Sequence, residues 1–294
     1  MEINHCPHCE AKYKFVKAGT YTKKSGKKIQ RFKCKACNKG FSEQTFRYDY
    51  RLRKTHVDDL IFRSLCTGTS QRKTALVAGV NPKTIDLRVK CFGEACIRNL
   101  DSIRKSENSN EIAFDEMESF EHSKCKPVTL PIAVDMESRK IIAISSGNIA
   151  AKGHLAEISK KKYGPRKCER SKALDEMFIG LKEVKSDNFV ILSDESPHYP
   201  KKVKKYFPNH EYMRFKGRRG CIVGQGELKE GGKDPLFNLN HTYAMIRDGV
   251  KRLSRRTWCT TKKLMNLNFV LHIYAFFHNQ LMEGIRPKIF DFQE

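Results

Sequence analysis

Two aspartates stand out for the chemistry they support. Asp115 interrupts the apolar run Ile-Ala-Phe-Asp-Glu-Met-Glu-Ser-Phe, and Asp194 closes Phe-Val-Ile-Leu-Ser-Asp-Glu-Ser. Carboxylates on strand-like segments of a very basic chain suit a divalent cation held beside a phosphate. In-line transfer at phosphorus needs both the attacking and the leaving oxygen stabilised, which two metal ions a few ångströms apart accomplish. Magnesium takes hard oxygen ligands and keeps several waters, so two or three side chains suffice to hold it. The third ligand is sought in Phe237-Asn-Leu-Asn-His-Thr-Tyr-Ala-Met-Ile-Arg-Asp248. Asn240 is chosen there: its amide oxygen can coordinate magnesium, although it does not neutralise the ion's charge. Arg247 follows two helical turns later on the same face, placed to hold a phosphate. His241, Asp248, Glu227 and Glu230 compete for the role, and Asn240 as a plain helix cap is the bland alternative.

The partner is written in the charge. Among 294 residues, 57 Lys and Arg face 33 acids, a net +24. The cations recur along the whole chain, which fits a long phosphate track. Arg218, Arg219, Arg255, Arg256, Lys262 and Lys263 are the candidate phosphate contacts near the acidic segments. Trp258 stands among the last four, packed against a helix or stacked on a base, packing being the commoner fate. His198, four residues after Asp194, either orients a water or phosphate or simply turns the chain.

Other elements must position these groups. Cys6-x-x-Cys9 and Cys34-x-x-Cys37 enclose 24 residues with two short strands at 13–20 and 29–33. Four thiolates from two knuckles favour a structural zinc ion, so residues 1–45 are read as a zinc ribbon, with His5 and His8 as minor competitors. Residues 50–100 carry helical spacing. Thr69-Ser70 and Asn81 are placed as caps and Pro82 sits in a first turn, which suggests a helix-turn-helix with Lys83, Thr84, Asp86 and Arg88 toward a DNA groove. The polar stretch 101–110 reads as a linker. Strands are expected at 111–120, 128–135 and 140–148, and a basic loop at 150–167. A helix at 174–181, a strand at 189–193, a helix at 200–206 and a strand at 211–215 follow, with helices from 239 onward. Three strands, helix, strand, helix, strand, helix is the element order of an α/β RNase H-like domain with a mixed five-stranded sheet, here over 108–294. Eleven cysteines, an odd number, suit a reducing compartment. No apolar run reaches 18 residues and the start lacks a secretory pattern, so the expected location is cytoplasmic.

Taken together, the ribbon, the helix-turn-helix, Asp-Glu in the first strand, Ser-Asp-Glu in the fourth and Arg252-Leu-Ser-Arg-Arg-Thr-Trp258 resemble one family. It is that of bacterial insertion-sequence transposases of the DDE type with an N-terminal zinc ribbon. The resemblance spans nearly the whole chain. Some members use Asp-Asp-Asn, and Asn240 stands 17 positions before Thr257, where that third residue falls. The resemblance implies binding to the inverted repeats of a mobile element in the bacterial nucleoid. It also implies magnesium- or manganese-dependent strand cleavage and strand transfer on double-stranded DNA, by a dimer or larger assembly. No covalent enzyme intermediate is needed, so Tyr199 and Ser196 are not expected to act as nucleophiles. Two other readings share these features: a non-catalytic DNA-binding protein derived from a transposase, and a structure-specific nuclease.

Overall fold

The computed structural model describes residues 3–22, 26, 28–186, 188–216, 234–255 and 257–290. It divides into two compact units, Met1–His56 with Phe290–Glu294, and Val57–Ile289.

The first unit holds strands β1 (Phe15–Thr22), β2 (Lys28–Cys34) and β3 (Gly40–Ser42), paired antiparallel in that order. Its small core is Cys6, Cys34 and Phe41, with Phe15 and Phe32 against them. Phe15, Phe32 and Phe41 meet within 5.6 Å, centroid to centroid. So little apolar surface cannot hold about fifty residues alone, which is why such units need a metal staple.

The second unit opens with helices α1 (Asp58–Cys66), α2 (Gln71–Val77) and α3 (Pro82–Ser106). The expected caps form. Ser70 Oγ accepts from the Lys73 N–H and Asn81 Oδ1 from the Lys83 N–H. Gly79, at φ +62°, makes the left-handed turn between α2 and α3. The expected linker is shorter than the composition implied. α3 runs on to Ser106 because the amphipathic face through Val89, Phe92, Cys96 and Leu100 keeps packing past residue 100. Much of that packing is against α8 (Leu264–Met282), where a Cβ on Gly93 would lie 2.5 Å from Phe269 Cβ. The helices at 58–106 therefore belong to the same compact unit as the sheet, with no separate domain boundary at 100–108. The apolar segment 269–277 lies largely buried within α8.

The sheet has six strands where five were expected. β4 (Glu111–Phe120) matches its expected limits, and β5 (Pro127–Asp135) begins one residue earlier than expected. The third expected strand is broken into β6 (Ile141–Ile144) and the short β7 (Gly147–Asn148), both pairing with β5. Next come α4 (Leu155–Tyr163), within the stretch expected as loop, α5 (Arg170–Leu181), β8 (Val190–Asp194), α6 (Tyr199–Tyr206), β9 (Tyr212–Phe215) and α7 (Phe237–Gly249). The order across the sheet is β6-β5-β4-β8-β9, with β7 beside β5. β4, β5 and β6 run antiparallel, whereas β8 and β9 join β4 in parallel. One face carries the main core, where Ile112, Phe114 and Ile191 meet Leu174, Phe178 and Val203 of α5 and α6. Strand alternation turns Ala113, Asp115 and Leu192 to the other face. Among the described residues, no helix is long and apolar enough to cross a membrane.

Candidate metal-binding active site

β4 and β8 are paired in parallel at Ile112↔Ile191 and Ala113↔Leu192. Two residues further along each strand stand Asp115 and Asp194. Neighbouring strands in register lie about 4.8 Å apart, with matched residues on one face. The two carboxylates are therefore neighbours although 79 residues separate them in the chain.

Asp115 is closely held. Its Oδ1 accepts from the Glu116 N–H at 2.6 Å and from the Tyr199 hydroxyl at 3.0 Å. The Tyr243 hydroxyl of α7 donates to its backbone carbonyl. The Asp115 carboxyl is pushed up to about 6: burial raises it most and the Asp194 charge adds to that, while the Glu116 N–H and the Tyr199 hydroxyl pull it down. Asp194 accepts the Ser196 N–H at 2.9 Å, a turn that ends β8 with its carboxylate fixed. Tyr199 is buried against Phe114, ring centroids 4.8 Å apart, and starts α6. Burial and the surrounding carboxylates raise its pKa far above the ordinary tyrosine value, so it donates a proton and does not lose one. Tyr199, not expected to act as a nucleophile, instead donates its hydroxyl proton to Asp115.

Arg247 lies close to these groups on α7. Burial lowers its pKa first and the nearby Arg255 charge lowers it again, while Tyr243 and Asp115 offset both. Arg247 thus stands within electrostatic reach of both Arg255 and Asp115.

Asn240 is exposed at the start of α7, and its Nδ2 donates to Asp234 Oδ2 at 2.7 Å. Asp234 is buried and its Oδ1 accepts the Leu236 N–H, so it anchors both the helix entry and the amide. With the nitrogen so engaged, the amide oxygen is the group left to offer a metal. His241 is taken by Arg139, and Asp248 acts on Tyr274 of α8. Glu227 and Glu230 lie outside the described residues, as do Arg218, Arg219 and Arg256. Glu116, next to Asp115, is engaged elsewhere, because its carboxylate takes Thr129 at 2.6 Å and Arg170 at 2.8 Å.

Among the groove contacts expected of α3, Lys83 is exposed and Thr84 half-buried in the first turn. Arg88 is a correction. Its side chain is 1% exposed and paired with Asp58 at 2.6 Å, so it ties α3 to α1 and cannot reach DNA. Lys262 and Arg255 are exposed. Trp258 is another departure, since its side chain lies wholly in solvent rather than packed on a helix.

In the first unit the sulfurs of Cys6, Cys9, Cys34 and Cys37 lie within 4.8 Å of one another. Cys6 to Cys37 is 3.7 Å and Cys9 to Cys34 is 3.6 Å. A tetrahedral zinc ion with bonds of about 2.3 Å sets its sulfurs about 3.8 Å apart. The His8 N–H donates to Cys6 Sγ and the Ala36 N–H to Cys34 Sγ, which favours thiolate. The Cys34 thiol is drawn down to about 7, first by the Cys37 backbone N–H. The four cysteines can hold a zinc ion.

No family model and no curated protein matches this chain. Among solved structures, it is similar to a chain of the simian T-cell lymphotropic virus intasome in complex with PP2A regulatory subunit B56 gamma. The overlap has a TM-score of 0.33 at 11% identity and covers 80% of this chain and 76% of that one. At that score the likeness adds nothing to what the residues themselves show.

Proposed function

We propose that this chain cleaves and joins DNA, as a transposase of a bacterial insertion sequence with an RNase H-like catalytic domain. One observation carries the reading: Asp115 and Asp194, far apart in sequence, stand side by side on adjoining parallel strands with Arg247 next to them. The order of the sheet, an antiparallel meander whose first strand is joined in parallel by the fourth and fifth, supports the RNase H-like assignment. The donor set suits magnesium or manganese. One carboxyl pushed up to about 6, first by burial and then by the Asp194 charge, leaves the pair short of positive charge, and a divalent cation supplies it. Asp115, Asp194 and the Asn240 amide oxygen would hold the ion, which when bound neutralises phosphate charge and makes water nucleophilic.

The residues of the chain do the rest. Tyr199 and the Glu116 N–H orient the Asp115 carboxylate, and Tyr243 fixes the strand beneath it. Arg247 and Arg255 would take the non-bridging oxygens of the scissile phosphate and offset its growing charge. Water adds to phosphorus at an element end, leaving a 5′-phosphate on one side and a 3′-hydroxyl on the other. That 3′-oxygen then bonds to a phosphorus of target DNA and expels a target 3′-oxygen. Lys83 and Thr84 of α3, with the zinc-stabilised ribbon, would read the inverted repeats. Two ends must be held at once, so the working species is at least a dimer.

A labelled duplex carrying the inverted repeat, incubated with the protein and Mg²⁺ or Mn²⁺, tests this. A 3′-hydroxyl nick at the repeat boundary, absent with Asp194→Ala, is expected. A second reading, a non-catalytic DNA binder, draws on the uncharged Asn240 and its tie to Asp234. Specific binding with no nick in either metal would favour it.

A further inference from the structure

Beyond the carboxylates, the second unit holds a cavity of about 610 Å³ between α2 and the segment after α7. That volume is in the range of small-ligand sites, about 300–1,000 Å³. Arg72, Arg252 and Lys262 line it against a single carboxylate, Asp86, and Gln71 and Trp258 line it too. Three observations bear on its occupant. Trp258 is fully exposed, and an indole is a large apolar surface to leave in water. The Gln71 Nε2 is shielded from solvent yet has no hydrogen-bond partner among the described residues. Arg252 is half-buried at the cavity wall, and its guanidinium is in no hydrogen bond among the described residues, though Asp86 and Cys259 act on it through space. A flat aromatic face, an amide donor without a partner and an excess of cations together match a base, its edge and its phosphate. An apolar protein partner would not explain the cations, and duplex DNA offers no base face to Trp258.

The arm bearing Trp258 is fixed in place. Thr261 forms a bridge to Glu121 beside the end of β4, and its carbonyl accepts the His122 N–H at 2.9 Å. At its other end Ser254 Oγ donates to the Arg247 carbonyl at 3.1 Å. The segment thus runs from beside Arg247 to the cavity wall.

We infer that this cavity receives an unpaired nucleotide of a DNA strand, its base stacked on Trp258 and its phosphate on Arg252, Arg72 and Lys262. The inference rests on the DNA-cleaving reading for its choice of ligand. The test uses the fact that the chain has one tryptophan, so intrinsic fluorescence reports this position alone. The full-length protein is titrated, without divalent metal, with an end-labelled oligothymidylate and separately with a blunt duplex, following tryptophan emission and label anisotropy. Quenching by the single strand but not by the duplex is expected. Trp258→Ala should weaken single-strand binding about ten- to hundredfold, the worth of one stacked base. As the side chain is wholly exposed, the fold does not depend on it. Arg252→Gln should weaken the same binding while quenching at saturation persists. Single-strand binding with unchanged emission, or undiminished in Trp258→Ala, overturns the inference while metal-dependent nicking of the duplex leaves the catalytic reading standing. Failure to bind either DNA overturns both.

Discussion

Replacing Asp115 by Asn should stabilise the metal-free protein while abolishing its activity. The native carboxyl is raised from its ordinary 3.8 to about 6, chiefly by burial and then by Asp194. The folded state therefore resists ionising it. A carboxyl whose folded pKa is raised contributes stability that is full below its unfolded pKa and lost as pH rises through the folded one. At about 1.4 kcal/mol per pH unit, the loss by pH 7 is about 3 kcal/mol. Asn keeps an oxygen for the Glu116 N–H and the Tyr199 hydroxyl and removes the charge. Urea unfolding in magnesium-free buffer, followed by helical circular dichroism, reads the second unit, where the described α-helices lie. Asp115→Asn should be more stable than wild type by about 3 kcal/mol above pH 7, with the gap closing below pH 4. Adding Mg²⁺ should stabilise the wild type and leave the variant unmoved. A variant no more stable at pH 7, or a gap independent of pH, would refute the reasoning that a charged, underneutralised pair sits at this place.

Three further changes probe the parts around it. Tyr199→Phe removes the donor to Asp115 Oδ1, so the carboxyl rises further and Mn²⁺ binding should weaken about five- to fiftyfold near pH 7, with less loss at higher pH, by titration calorimetry. Arg88→Met strands the buried Asp58 and should cost about 3–5 kcal/mol in urea unfolding, whereas Arg88→Met with Asp58→Leu should recover most of it. Cys34→Ser should drop bound zinc, measured by atomic absorption, from one ion per chain to well below one, and the ribbon's amide protons should then exchange freely.

Much of this was legible in the residues, and the exceptions share a cause. β4 could be read to its limits because the apolar residues Ile112, Phe114, Met117 and Phe120 recur along a segment bounded by the polar stretch before it and the turn before β5. The ribbon was legible because cysteine spacing states its geometry directly. The helix α4 was missed, although Leu155 and Ile158 are spaced for a helix, lysines fill the last turn and Gly164 ends it at φ +75°. That signal was present and was outweighed by the composition. Arg88 could not have been placed, since its partner Asp58 is 30 residues away on another helix and a groove-facing arginine has the same local sequence. Asp234 and Tyr199 were missed for the same reason: their meaning lies in Asn240 and Asp115, contacts made only by the folded chain. Tyr243 alone left a trace, one turn after Asn240 and one before Arg247 on a single helical face.

The central claim is that Asp115 and Asp194 share a divalent cation. Crystals of the protein soaked in Mn²⁺ and measured at the manganese absorption edge test it most directly. The account expects an anomalous peak within about 2.2 Å of oxygens from both carboxylates, with the Asn240 amide oxygen turned toward it, and no peak there in Asp194→Ala. A peak on Glu116, Asp234 or the surface, with none between Asp115 and Asp194, would contradict it.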